Sequence, residues 1–161
     1  MRMIKVSLGL AILVTSVFAV ASQPAGAQAD SFMGTWVLNV EKSRYSPGPP
    51  PKTQTLIYEA AGEGVKVTAK GIDAAGNTTS TTYTANYDGQ DYKVSGNRDW
   101  DMISLKRVNP HTVEFTRKKA GKIVQTGSNV VSKDGKTRTI TATGIDSLGR
   151  RIRTVGVYER K

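Results

Sequence analysis

The sequence predicts an all-β protein, an antiparallel up-and-down meander of about ten strands closing into a barrel. Three observations carry that expectation. Short segments alternate apolar and polar residues with a period of two, from Gly34-Thr35-Trp36 to Val157-Tyr158-Glu159. Turn signals separate them every 8–16 residues or so, at Ala61-Gly62-Glu63-Gly64, Asp73-Ala74-Ala75-Gly76-Asn77, Asp88-Gly89, Asn109-Pro110, Ala120-Gly121, Asp134-Gly135 and Asp146-Ser147-Leu148-Gly149. Threonine and valine fill the segments, and no stretch carries the 3.6-residue apolar period of a helix. A long open meander would expose two edges, and closure removes them.

The elements follow in chain order. Arg2 and Lys5 precede an apolar run from Val6 to Val20, and small-residue sites follow at Ala19-Val20-Ala21 and Ala27-Gln28-Ala29. This pattern predicts a signal peptide over residues 1–29, cleaved after Ala29. The apolar run falls short of the roughly 20 residues of a membrane helix. Residues 30–161 then form a single domain. Its expected compartment is periplasmic or extracellular, and the short basic start with its Ala-x-Ala site points to bacterial export, the periplasm first. With no cysteine, neither a lipid-modified leader nor a disulfide is possible, so the domain rests on its core alone.

The first strand, Gly34–Val40, turns Trp36, Leu38 and Val40 to one face. Glu41 to Lys52 contains Ser46-Pro47-Gly48-Pro49-Pro50-Pro51, which has no place in a sheet interior because proline lacks the ladder amide. It reads as a strap that either bridges the first two strands or lies over one barrel mouth. Strands follow at Lys52–Ala60, Gly64–Asp73 (Val65, Val67 and Ala69 inward), Asn77–Tyr87, Asp91–Val94, Trp100–Val108, His111–Lys119, Lys122–Ser132, Lys136–Asp146 and Arg150–Arg160.

The whole chain carries a net charge of +10 at pH 7, and loss of Arg2 and Lys5 with the leader leaves +8. Asp30 to Leu105 holds 7 Lys/Arg against 9 Asp/Glu, whereas Lys106 to Lys161 holds 14 against 4. A basic half attracts anionic lipids, lipopolysaccharide phosphates, acidic glycans or an acidic protein. The same residues also serve solubility and the blunting of edges. Nucleic acid fits poorly, because the basic positions are not interleaved with aromatic platforms and the leader implies export.

Inside the barrel, the alternation predicts a lumen lined by Trp36, Leu38, Val65, Val67, Tyr83, Tyr87, Ile103, Leu105, Phe115 and Ile140. Apolar walls with a few hydroxyls suit a small apolar or amphiphilic ligand, unless these side chains fill the interior. Arg117 continues the Val113, Phe115 face of its strand toward a barrel mouth. On the last strand, one phase points Arg153, Val155 and Val157 inward, and the other points Ile152, Thr154 and Tyr158 inward. A buried arginine there would demand an anionic partner. The candidate ligand-binding residues are therefore Trp36, Tyr83, Tyr87, Leu105, Phe115, Arg117, Arg153 and Tyr158.

Catalysis finds little support. His111, beside Pro110, is the one histidine, and a thiol nucleophile or a histidine-rich metal site is excluded. Asp99 and Asp101 flank Trp100, where alternation puts both on one face and ion pairing or loop capping is their expected role. Thr68-Ala69-Lys70-Gly71-Ile72-Asp73-Ala74-Ala75-Gly76 recurs as Thr141-Ala142-Thr143-Gly144-Ile145-Asp146-Ser147-Leu148-Gly149. Repeated turn chemistry explains the echo, since each copy offers one carboxylate where calcium needs about 6–8 oxygens. No cofactor motif is present, and no metal site is expected.

Gly34-Thr35-Trp36 resembles the Gly-x-Trp first strand of the calycins, and Val157-Tyr158-Glu159-Arg160 is similar to the last strand of intracellular fatty-acid-binding proteins. The order from Gly-Thr-Trp through Lys42-Ser43, Pro47-Gly48-Pro49 and Val131-Ser132-Lys133-Asp134-Gly135-Lys136-Thr137 resembles secreted bacterial proteins of lipocalin type. The resemblance implies a ligand-binding barrel and a basic last-strand residue packed on the first-strand tryptophan, here Arg153 or Arg151 on Trp36. Fatty-acid-binding proteins place a carboxylate-binding arginine two residues before that tyrosine, where this chain has Gly156, and a helical lid where it has the proline strap. The expected function is thus an exported binding protein for a small apolar or amphiphilic ligand. The alternative is a solid barrel docking through its basic half onto an anionic envelope component.

Overall fold

The structure is a computed structural model that describes residues 30–161; the expected signal peptide lies outside the described residues. Eleven strands run in order: β1 (Gly34–Leu38), β2 (Arg44–Ser46), β3 (Thr53–Ala61), β4 (Gly64–Ile72), β5 (Thr78–Ala85), β6 (Tyr92–Ser95), β7 (Met102–Asn109), β8 (Thr112–Lys119), β9 (Lys122–Val131), β10 (Thr137–Ile145) and β11 (Arg151–Arg160). Each strand from β3 to β10 pairs antiparallel with the next, β10 with β11, and β1 with both β3 and β11. Leu38 faces Tyr158 across the closing seam and Trp36 faces Arg160. The result is a ten-stranded barrel, as the alternation predicts, with β2 added.

β2 is a correction to the expected strap. Arg44–Ser46 pairs with β11, Tyr45 opposite Thr154 and Ser46 opposite Arg153. It lies before Pro47, so its amides are free to pair. Pro47–Lys52 then returns to β3 as an irregular segment. The wall is thinnest at β6, which pairs with β5 through Thr82–Ser95 and Tyr83–Val94 and with β7 through Tyr92–Ile103 and Lys93–Met102.

One end of the barrel is plugged from within. Residues 30–33 turn back under the sheet, with the Met33 amide donating to the Asp30 carbonyl at 3.0 Å. They seat Phe32 at 1% exposure. The Phe32 carbonyl accepts from Trp36 Nε1 at 3.2 Å and Arg138 Nη2 at 2.6 Å. Trp36, fully buried, is flanked by the guanidinium groups of Arg138 at 4.4 Å and Arg160 at 4.2 Å. Arg160 also donates to the carbonyls of Met33 (2.6 Å), Ser31 (2.7 Å) and Gly135 (2.6 Å). The last strand thus supplies the basic partner of Trp36, but through Arg160 rather than Arg153 or Arg151. The β1–β11 register sets this by placing Arg160 opposite Trp36.

Gly127 shows how tightly the interior is filled, since a Cβ there would lie 2.6 Å from the Phe115 ring and 1.9 Å from the Thr141 carbonyl oxygen. The repeated turns are alike in detail. Asp73 accepts from the Asn77 amide at 2.8 Å, Asp146 accepts from the Arg150 amide at 2.9 Å, and Gly76 and Gly149 hold positive φ values of 99° and 75°. Their carboxylates are occupied by the turns themselves.

Removing the plug should uncover Trp36 and Arg138 together. Phe32→Ala is expected to lower stability by about 3–5 kcal/mol, read as a shifted midpoint in guanidinium unfolding. Val37→Ala, at a 41% exposed position in β1, should change it by less than about 0.5 kcal/mol.

Candidate functional site

The end opposite Phe32 contains a cavity of about 280 Å³. It is bounded by the mouth halves of the strands and by the strap, with Tyr45 and Pro51 above it. Leu56, Val67, Ala69, Ile140, Ala142 and Ile152 form its apolar wall, and Gln54, Thr81, Asn97, Gln125, Thr154 and the tyrosines supply its polar atoms. On each long strand these residues share one inward phase of the two-residue period. β11 points Ile152, Thr154, Gly156 and Tyr158 inward, which settles the phase the sequence leaves open. Gly156 is required there, because a Cβ would lie 2.9 Å from the Tyr158 ring and 3.1 Å from the Tyr45 hydroxyl.

Arg117 is the cationic element of the cavity. Its guanidinium lies 4.5 Å from the Trp100 ring centroid and 4.4 Å from that of Phe115. Its Nη1 donates to Gln125 Oε1 at 2.9 Å, while its buried Nε has no protein partner. Burial pulls the guanidinium below its ordinary value, opposed by nearby Tyr83, Tyr58, Tyr158 and Tyr45. Trp100 in turn meets Tyr83 edge-on at 6.3 Å. Tyr158 donates to Gln54 Oε1.

Asp99, at the lip of the cavity, lies 3.9 Å from Arg98. Asp101 instead accepts from the Ala120 amide at 3.1 Å and pairs with Lys119 at 3.8 Å. The two acids do not share a strand face as the alternation suggested, because β7 starts at Met102, after both. Each is engaged in ion pairing or turn capping. His111 lies in the turn between β7 and β8, at the plugged end.

The predicted ligand residues separate into four places. Tyr83, Arg117 and Tyr158 line the cavity together. Tyr87, Leu105 and Phe115, with Tyr83 and Arg117 again, surround a deeper void of about 20 Å³ between cavity and plug. Trp36 is sealed inside the plug. Arg153 is exposed on the outer face of β11. Sequence reasoning missed Tyr45, which the strap assignment hid, and Gln125, which no apolar alternation marks on β9. It also missed Arg138, two residues before inward-facing Ile140 on the same phase. Arg138 is fully buried, 3.7 Å from the Tyr58 ring centroid, with Nε and Nη1 unpartnered.

No protein-family model matches the chain, and no curated protein sequence matches it. Among solved structures it is similar to the zebrafish ileal bile acid-binding protein, determined in complex with cholic acid, at a TM-score of 0.50 and 11% sequence identity. The match covers 81% of this chain and 99% of that one. The likeness is one of fold. This chain and that protein share an antiparallel, up-and-down β-barrel architecture.

The buried phenols give the site a pH signature. Burial pushes Tyr87 up to about 12 and Tyr83 and Tyr158 well above the ordinary tyrosine value; it also raises Tyr45, partly offset by a hydrogen bond with Tyr158. In the unfolded chain these groups lose their protons near pH 10, while the folded protein retains them. The unfolded state therefore binds fewer protons above about pH 10, and stability falls as pH rises through this range. The denaturation midpoint should be level between pH 8 and about 9.5 and drop steadily toward pH 12, with tyrosinate absorbance at 295 nm appearing as the barrel opens.

Proposed function

We propose that this protein is an exported carrier that binds one small amphiphilic molecule in the open half of the barrel. The ligand's electron-rich or anionic end lies against Arg117 and Gln125, and its apolar body runs along Leu56, Val67, Ile140 and Ala142. The observation that carries this reading is an open cavity walled in part by a guanidinium that lies between two aromatic rings and is hydrogen-bonded to the neutral Gln125 rather than to a carboxylate. Its positive charge is left for an electron-rich group in the cavity to meet. A volume near 280 Å³ lies just below the range of about 300–1,000 Å³ for drug-sized ligands, so the ligand is compact. The signal-peptide pattern of residues 1–29 supports periplasmic or extracellular action, and the order from Gly34-Thr35-Trp36 through Lys42-Ser43, Pro47-Gly48-Pro49 and Val131-Ser132-Lys133-Asp134-Gly135-Lys136-Thr137 supports a lipocalin-type bacterial carrier. The cavity favours this reading over a solid docking barrel.

Two fluorescent probes test the proposal, anionic 1-anilinonaphthalene-8-sulfonate and neutral N-phenyl-1-naphthylamine. Both should bind one per protein and accept energy from Trp100. Arg117→Met, which keeps the aliphatic stem between Trp100 and Phe115, should weaken the anionic probe at least about tenfold, the scale of one charge-assisted hydrogen bond, and leave the neutral one nearly unchanged. Ala142→Phe, which projects into the cavity, should exclude both. Absence of uptake, or uptake that neither substitution alters, would refute the proposal.

A further inference from the structure

We infer that the rim of the cavity mouth is a docking surface for an anionic lipid bilayer. This inference rests on the carrier reading for its purpose, which is loading and unloading of the ligand at a membrane. The turns at the mouth carry large aliphatic side chains in solvent. Leu148, in the β10–β11 turn, is 74% exposed; Ile123, at the start of β9, is 61% exposed; Ile145, at the end of β10, is 42% exposed. The strand register makes them neighbours. Gly144 pairs with Gln125 and Ile145 with Arg151, so the start of β9, the end of β10 and the start of β11 form one contiguous stretch of rim. On the opposite wall, Ile72 ends β4 at 39% exposure.

Charge accompanies these tips. Four acids toward the mouth are matched by cations: Asp91 by Lys118 at 2.6 Å, Asp99 by Arg98 at 3.9 Å, Asp101 by Lys119 at 3.8 Å and Asp146 by Arg150 at 2.7 Å, while a fifth, Asp73, is held by Asn77 in its own turn. Among the described residues, no carboxylate is in ion-pairing range of Lys122, Arg151 or Arg153. Lys122 adjoins Ile123, and Arg151 and Arg153 stand on the outer face of β11 beside Ile145 and Thr143. The rim therefore combines exposed aliphatic side chains with unmatched positive charge. Protruding side chains of this kind enter the headgroup layer of a bilayer, while lysine and arginine beside them meet anionic lipid phosphates. The mouth then faces the phase in which an amphiphile resides.

Co-sedimentation of the mature protein with vesicles tests the inference, using phosphatidylcholine alone and equal parts phosphatidylcholine and phosphatidylglycerol. Binding is expected to the anionic vesicles alone and to weaken sharply in about 0.5 M salt, where the screening length falls to ~4 Å. Ile123→Asp with Leu148→Asp should weaken it at least about tenfold. Arg151→Glu with Arg153→Glu should weaken it about 30-fold, from about fivefold for each cation near such a surface. Val108→Asp, at a 51% exposed position of the plugged end, should leave it unchanged. Equal binding to both vesicle types, no binding, or retained binding in either double variant would overturn the docking surface. So would an equal loss with Val108→Asp, or salt-sensitive binding that ignores Ile123 and Leu148, which is the behaviour of an acidic macromolecule as partner. Probe uptake in solution is read separately on each variant. A protein that binds anionic vesicles in the expected pattern but takes up no probe supports the docking surface while refuting the carrier reading.

Discussion

The interior of this barrel is organised by guanidinium groups that are buried against aromatic rings in place of carboxylates. Arg138 is ringed by Tyr58, Trp36 and Phe32, and Arg117 lies between Trp100 and Phe115. Desolvating a cation costs several kcal/mol. One well-placed aromatic face returns about 2 kcal/mol when water is excluded, so two or three faces bring the group near balance without neutralising it. Its remaining N–H donors still need acceptors. At the plugged end the Phe32 carbonyl is one such acceptor, and the chain must fold residues 30–33 inward to deliver it. Plug and barrel are therefore one cooperative unit, in which Phe32 supplies ring and carbonyl together.

The mouth repeats that chemistry with a piece missing. Arg117 has its two aromatic faces and the Gln125 side chain, and beyond them lies space where Arg138 has Phe32. The strap explains why the space persists. Proline residues 47 and 49–51 leave too few amides to extend the sheet across the opening, so pairing stops with three residues at β2 and the chain crosses back irregularly. Tyr45 reaches inward from that short strand to meet Tyr158 over Gly156. This is a light closure, resting on three residue pairs with β11, and the wall across the barrel from it is thin at β6. Segments with so few ladder bonds open at lower free energy than the long hairpins around them, so the strap is the more easily opened side of the mouth.

Much of this was legible in the sequence, and the gaps have physical causes. All ten barrel strands announce themselves, because one buried face forces alternation and each hairpin needs its turn residues. Tyr83, Arg117 and Tyr158 were found because each lies in phase with recognised inward neighbours or on the final strand. Arg138 carried the same signal, since a phase that buries Ile140 also buries it, but a charged residue on an inward phase is easily read as the end of the buried stretch. β9 is marked by its turns rather than by apolar alternation: before Val131 its inward positions are Gln125, Gly127 and Asn129, polar or empty because the Phe115 ring occupies the space over Gly127. Arg153 could be placed on either side until the register of β11 was known. Register is a property of two strands, and the sequence of one does not contain it.

The strong basic balance of the second half of the chain also resolves into separate physical roles. Arg107, paired with Asp30 at 2.6 Å, and Arg160 clamp the N-terminal segment. Arg117 and Arg138 are interior. Lys118, Lys119 and Arg150 are matched by acids at the mouth. Of the remaining charge, Lys106, Lys133, Lys136 and Lys161 are exposed away from the mouth, whereas Lys122 and Arg151 adjoin the Ile123 and Ile145 positions at it. Exposed aliphatic groups and unmatched cations each carry a cost in a purely soluble protein, the first in association and the second in self-repulsion. Both costs fall together when the same rim meets an anionic surface, and that shared relief is why the mouth, rather than the net charge, is the informative feature of the surface.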